Sequence, residues 1–263
     1  MASERASRRA FLGVAALLFG ASAALTTLCC ASMSALGGMP MPGGWTMSMA
    51  WMRMPGQTWA GAAASFLGMW VAMMIAMMLP ALAPMLWRYR QAVGGTSETR
   101  RGGLTAVVGA GYFFIWTLVG MAIFPLGVAL AAVEMQRPPL ARAIPIAIGG
   151  VVLLAGAFQL TKWKARHLAG CREANGCCAA LPADAGTAWR HGVGLGLLCA
   201  RGCGNLMAIL LVLGVMDLRV MAAVTAAIAL ERLPPAGERA ARALGAVGVG
   251  AGLLLIARAA GLA

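Results

Sequence analysis

Residues 64–87, ASFLGMWVAMMIAMMLPALAPMLW, decide the fold class of this chain. The stretch has no charged side chain, and a helix needs about 20 apolar residues to cross the hydrocarbon core of a bilayer. Similar long apolar stretches lie at 10–31, 104–133, 143–161, 190–216 and 243–258, and a shorter one lies at 219–231. The sequence therefore predicts an all-α fold, a polytopic transmembrane helical bundle with six or seven spans.

The overall composition agrees with a membrane protein. The 263 residues are 61% hydrophobic and only 11% charged, whereas soluble domains carry about a quarter of charged residues. The net charge is +13, but Lys and Arg lie in short runs between apolar segments, not on a soluble face beside base-reading side chains. We therefore expect the lipid bilayer as the main partner and no nucleic acid.

The N-terminus is compatible with two interpretations. The stretch from Ser7 to Leu12 (SRRAFL) is typical of a twin-arginine signal, and Ala21-Ser22-Ala23 is typical of a cleavage site. The apolar run is longer than the core of a signal peptide, which favours an uncleaved first span. With the N-terminus inside, fifteen of the 21 Lys and Arg lie on the inner side. We expect a multi-pass protein of the cell inner (cytoplasmic) membrane, with its N-terminus inside.

Three segments follow from this topology. Residues 1–31 form the N-terminal span and a candidate signal anchor, 32–58 form a Met-rich outer loop, and 59–263 form the membrane bundle. Of the 19 methionines, thirteen lie between Met33 and Met85. The outer loop repeats a Met-x-Met spacing, as in Met47 and Met49. Thioether sulfur is a soft ligand that selects Cu(I), so the methionine-rich loop is a candidate metal-binding segment, against the alternative of flexible apolar filler.

Methionines continue into the second span. Met73 and Met77 are four residues apart and share one helix face, while Met74 and Met78 flank that face. A methionine stripe in a membrane helix is more often packing than a ligand path, but its position beside the Met-rich loop favours Met73 and Met77 as metal ligands. Pro80 and Pro84 predict a bend or break near the inner end of this helix.

The predicted inner loop, 162–190, holds a second group of candidate ligands. His167 and Cys171 are four residues apart and form a usable pair on one helix turn, and Cys177 and Cys178 follow. The inner compartment is reducing, so these thiols should be free, and the neighbouring cations would favour thiolates. The alternative is a basic turn against anionic lipid with incidental cysteines.

A third group lies inside the span 190–216. Cys199 and Cys203 are four residues apart, so their sulfurs face the same way and are candidate metal ligands. Between them, Arg201 costs about 2.5–3.5 kcal/mol in the membrane unless it faces an interior or a water cavity. The neighbouring glycines suggest a local helix break near Arg201. Glu231 is the acidic residue most suited to pair with a cation there.

Several of these motifs together resemble the DUF2182 family, which is described as predicted metal-binding integral membrane proteins. The resemblance covers roughly residues 64–258 and rests on Trp70, Ala76-Met77-Met78-Leu79-Pro80, Pro84, Gly156, Gln159, Thr161, Lys164, His167-Leu168, Cys171-Arg172, His191-Gly192, Cys199, Cys203, Leu206-Met207, Gly214-Val215-Met216 and Glu231. His167 stands where the family usually has Cys, and the family's Cys-x-Gly-Cys-Cys is here Cys199-Ala-Arg201-Gly202-Cys203. The resemblance implies metal handling without naming a reaction.

The sequence thus favours a membrane protein that binds a soft metal ion, with Cu(I) the best candidate and zinc less favoured, in transport or delivery. The outer methionines would collect the ion, Met73/Met77 and Cys199/Cys203 would relay it, and His167/Cys171 would receive it. Its partners would be the metal ion and a metallochaperone or a membrane enzyme under assembly. We expect no enzyme activity, and the sequence has no P-loop or phosphorylated-Asp motif for ATP-driven pumping. The alternative is a structural or assembly subunit with no metal of its own.

Overall fold

The structure is a computed structural model that describes residues 2–35, 37–93, 96–174, 182–232 and 237–262, with the side chains of 2–3 and 169–174 outside the description. In the described ranges the chain forms eight α-helices: α1 Ala2–Ala35, α2 Trp59–Ala92, α3 Glu98–Gln136, α4 Pro138–Gln159, α5 Lys162–Ala174, α6 Ala185–Gly214, α7 Leu218–Arg232 and α8 Gly237–Ala259. The predicted all-α class is confirmed.

Six of these helices are long and apolar enough to cross a membrane: α1, α2, α3, α4, α6 and α8. The stretch predicted as a short seventh span forms α7, whose 15 residues extend about 22 Å. A hydrocarbon core is about 30 Å thick, so α7 does not cross it alone. Large apolar side chains such as Leu126, Leu154 and Val247 lie exposed on the bundle, as expected of surfaces that face lipid. The chain is a multi-pass membrane protein.

The buried core is centred on α2, α3, α6 and α7. Helix α3 packs closely against α6 because glycines let the two backbones approach. A Cβ added at Gly192 would lie 2.2 Å from the carbonyl oxygen of Val108, and one added at Gly111 would lie 2.7 Å from that of Trp189. This contact fixes the rotation of α6 relative to α3, and so fixes which α6 side chains face the core.

Two predicted helix breaks are wrong, whereas a bend at the prolines stays a prediction. Helix α2 continues through Pro80 and Pro84 to Ala92, so the prolines do not break it. Helix α6 is also continuous through Arg201, although glycines surround that residue. Tertiary packing along both helices supports the helical backbone where local propensity opposes it.

The Met-rich loop between α1 and α2 contains a small hairpin and a helical turn. Strands β1 Met39–Met41 and β2 Trp45–Met47 pair antiparallel, and a 3₁₀ helix, Met49–Trp51, follows. Gly43 and Gly44 have φ values of 103° and 77°, which glycine adopts without steric cost. The indole of Trp45 donates a 2.9 Å hydrogen bond to the carbonyl of Ala141 and anchors the hairpin on α4.

Candidate metal centre

Three sulfur atoms meet in the middle of the core. The Sγ atoms of Cys199 and Cys203 on α6 are 3.7 Å apart, and the Sδ atom of Met78 on α2 is 3.9 Å from Cys199 Sγ. All three side chains are almost completely buried. We call these three residues the sulfur cluster. Two thiols and a thioether form a donor set that favours soft metal ions.

The spacing between these sulfurs suits a shared ion. With metal–thiolate bonds of about 2.3 Å, the length found in zinc sites, sulfurs around one three- or four-coordinate ion lie roughly 3.8–4.0 Å apart. Both measured separations, 3.7 and 3.9 Å, are close to this range. The four-residue step on α6 brings the two thiols onto one face, and the contact of α2 with α6 adds the thioether.

Helix α3 contributes a hydrogen-bond donor to the sulfur cluster. The buried hydroxyl of Tyr112 donates a 2.8 Å hydrogen bond to Cys199 Sγ. The thiol of Cys203 donates to the backbone carbonyl of Cys199 at 3.0 Å. The two thiols therefore have different surroundings, and Cys199 accepts the stronger donor. A hydrogen bond to a thiolate stabilises its negative charge.

A charged network borders the sulfur cluster. Lys164 on α5 is 0% exposed, and its Nζ lies 2.8 Å from a carboxylate oxygen of Glu231 on α7. The same ammonium donates to the carbonyl of Gly202, the residue before Cys203, and to Asn205 Oδ1 at 3.4 Å. The side-chain amide of Gln159 donates to the other oxygen of Glu231. The predicted pairing of Glu231 with a cation is confirmed, and the cation is Lys164.

The positive charges near the sulfur cluster suit an anionic metal complex. Arg232, at the end of α7, interacts electrostatically with both Cys199 and Cys203, and Lys164 interacts with Cys203. Two thiolates and one monovalent ion carry one net negative charge. Lys164 is paired with Glu231, and Arg232 adds a positive charge beside the two thiols. Charge compensation matters here because an uncompensated buried charge is costly.

The candidate ligands Met73 and Met77 on α2 lie near the sulfur cluster but do not belong to it. Met73 and Met77 lie buried in the same core as the sulfur cluster, but the α2 sulfur in contact with Cys199 is that of Met78. In the sequence, Met78 flanks the face that Met73 and Met77 share, and it was not predicted as a metal ligand. The available signal was the resemblance, whose second-span motif includes Met78.

The paired candidates Met47 and Met49 are separated. Met47 packs with Met41, Ala131 and Ala141 in a small hydrophobic cluster. Met49 lines a different space, a cavity between α1, the 3₁₀ helix and α2. The Met-x-Met spacing did not bring these two sulfurs together because Met47 ends a strand and Met49 begins a helical turn. Of this pair, Met49 is the residue that lines a cavity.

The inner-loop candidates are only partly described. His167 lies on α5 and packs against Trp163, with ring centroids 3.8 Å apart and ring planes tilted by 55°. Cys171 belongs to the same helix, but its side chain lies outside the described part, and Cys177 and Cys178 lie wholly outside it. Among the described side chains, no group of three or more His, Cys, Asp or Glu could hold a metal ion.

Arg201 does not face the protein interior. Its side chain is exposed on α6, whereas Gly202 and Cys203 beside it are buried. Of the two settings that would offset the cost of Arg201 in the membrane, the protein interior does not apply, because residues 199 and 203 share one face of the helix while 201 lies on the opposite side. The cations near the sulfurs come from α5 and α7.

These features define a class of protein: a polytopic α-helical membrane protein whose buried core joins two thiols and a thioether beside a charged network. The profile of the PpoB2 family, described as a copper chaperone, matches residues 67–255. The match covers well over half of the 263 residues, and the chain belongs to this copper-handling family. No curated protein and no solved structure gives a significant match.

Proposed function

We propose that the chain is a membrane-embedded copper chaperone that holds one Cu(I) ion at Cys199, Cys203 and Met78 and delivers it to a partner. The observation that carries this proposal is that the buried Cys199 Sγ lies 3.7 Å from Cys203 Sγ and 3.9 Å from Met78 Sδ. The membership in a copper chaperone family supports copper as the cargo.

The ligand types favour Cu(I) over the other common ions. Thiolate and thioether sulfur are soft donors that suit Cu(I), whereas structural zinc sites use four thiolate, imidazole or carboxylate ligands. The contacts described for the sulfur cluster include a thioether and no imidazole or carboxylate. Cu(I) with two thiolates carries one negative charge, and Arg232 supplies a positive charge beside the two thiols.

Delivery requires ligand exchange and no catalysed reaction. A partner sulfur would displace Met78 first, because a neutral thioether binds more weakly than a thiolate, and the two thiolates would then release the ion. The receiving protein would be a metallochaperone or a membrane enzyme under assembly. With the predicted orientation, α5 lies on the inner side, and its His167 would accept the ion in inward transport.

The replacement of both thiols tests this proposal. We expect detergent-purified wild-type protein, loaded with Cu(I) under reducing conditions and challenged with a Cu(I) chelator, to retain one copper per chain. The variant Cys199→Ser/Cys203→Ser should retain none, since serine oxygen is a hard donor. Copper content is measured by elemental analysis, and thermal unfolding in detergent checks that the variant is folded. Equal copper retention in a folded variant would refute the proposal and favour the assembly-subunit alternative.

The role of the Met78 thioether can be tested separately, with a control variant on the same helix. We expect Met78→Leu to weaken Cu(I) binding about tenfold, equivalent to about 1.4 kcal/mol, because leucine keeps the volume but removes the sulfur donor. Met74→Leu is the control, since Met74 is equally buried on α2. Chelator competition measures both affinities, and X-ray absorption at the copper edge counts the sulfur ligands. Equal affinities in the two variants would remove Met78 from the site.

A further inference from the structure

The outer face of the bundle contains a cavity of about 380 Å³ that the sulfur cluster does not use. It lies between the end of α1, the segment around the 3₁₀ helix, the start of α2 and the turn between α6 and α7. Six methionines line it: Met33, Met49, Met52, Met54, Met69 and Met216. We call this space the outer methionine cavity. Methionines from four separate parts of the chain converge there, so the grouping is a product of the fold.

The remaining lining is consistent with a soft-metal site. The cavity also has Cys29 in its wall, and the adjacent Cys30 approaches the sulfur of Met216 to 4.0 Å. Among the residues that the structure describes, its polar lining is Ser32, Gln57 and Ser65, and no carboxylate or imidazole contributes to the wall. Hard cations prefer oxygen ligands such as carboxylates, whereas thioethers select Cu(I).

The alternative is that these methionines only pack. Packed interiors leave few voids larger than a water molecule, and methionine usually fills irregular gaps. Here the thioethers surround a space that remains open, and all but Met69 are partly accessible to solvent. The small cluster around Met41 and Met47 shows ordinary methionine packing in the same loop. The methionines of the outer methionine cavity surround open space, whereas those around Met41 and Met47 are packed. This contrast is the reason to assign a ligand to the cavity.

We infer that the outer methionine cavity is a second, thioether-based binding site for Cu(I), from which the sulfur cluster is loaded. The ion binds as Cu(I), no electron is transferred, and thioethers release no proton on binding. Its role as a loading site rests on the proposed function of the sulfur cluster, whereas binding in the cavity does not.

Helix α2 connects the two sites. Met69 lines the outer methionine cavity, and Met78 belongs to the sulfur cluster nine residues later, about 13 Å along the helix. Met73 and Met77 lie between them at four-residue steps and are buried. A row of thioethers therefore extends from the outer cavity to the two thiols. This arrangement gives Met73 and Met77 a role in transfer, with stronger thiolate ligands at the inner end of the row.

The test compares two triple variants of the same loop. Met49→Leu/Met52→Leu/Met54→Leu removes three cavity thioethers, and Met39→Leu/Met41→Leu/Met47→Leu is the control, because it changes as many methionines in the hairpin and its packing cluster. Leucine conserves the volume in both. The probe is Ag(I), a redox-stable analogue of Cu(I), bound to the full chain in detergent and counted by equilibrium dialysis.

We expect the cavity variant to bind one Ag(I) ion fewer than wild type and control at pH 7. At pH 5 thioether binding should persist while thiolate binding weakens, because only the thiolates compete with protons. Cys199→Ser/Cys203→Ser should keep the outer ion and lose the inner one, so failure of the sulfur cluster is distinguishable from failure of the cavity. Equal Ag(I) binding by the cavity variant and the control would overturn the inference.

Discussion

Glu231→Gln is expected to lower the free energy of unfolding by about 3–5 kcal/mol, because it leaves the ammonium of Lys164 buried without its counter-charge. Lys164 is 0% exposed and its Nζ is 2.8 Å from the carboxylate. Glutamine keeps the shape and a hydrogen-bonding oxygen, so the loss reports charge and not packing. Denaturant titration in mixed micelles measures the change.

Two comparisons make this result specific. Glu238→Gln removes the carboxylate of an exposed pair with Arg242, where the two groups are 3.8 Å apart, and should change stability by less than about 1 kcal/mol. The double variant Lys164→Met/Glu231→Leu should recover most of the loss, since apolar replacement of both partners removes the buried charge. Glu231→Gln with wild-type stability would mean that the ammonium is neutral or hydrated.

Gly192→Ala is expected to be the most disruptive single methyl addition on α6, with a loss of about 3 kcal/mol. The new Cβ would lie 2.2 Å from the carbonyl oxygen of Val108, and both atoms belong to rigid helical backbone. Helices α3 and α6 must then separate. Because Tyr112 on α3 donates to Cys199 on α6, we also expect weaker copper retention.

Gly194→Ala is the matched control on the same helix. In the described part of the chain, no heavy atom beyond the adjacent residues and the backbone of the same helical turns lies within 4 Å of a Cβ at this position, so the substitution should stabilise α6 by about 1 kcal/mol through helix propensity. Thermal unfolding in detergent and chelator-resistant copper content measure both variants. Similar stability of the two alanine variants would contradict the close contact of α3 with α6.

The parts of the site that could be predicted are those that depend on one helix alone. Cys199 and Cys203 were predicted to face the same way, and their sulfurs are 3.7 Å apart, since a four-residue step fixes relative direction on a helix. The same rule grouped Met73 with Met77. It could not select Met78, because the contact with Cys199 depends on how α2 is rotated against α6.

The apolar lengths and the scarcity of charge by themselves determined an all-α membrane bundle, since the need to satisfy backbone hydrogen bonds in lipid leaves helices as the solution for such stretches. Only the tertiary structure decided which donors meet. It joined Met78 to two thiols, turned Arg201 outward, paired Lys164 with Glu231 and separated Met49 from Met47. The physical reason is that periodicity orders side chains around one helix, whereas packing between helices sets their relative rotation and height.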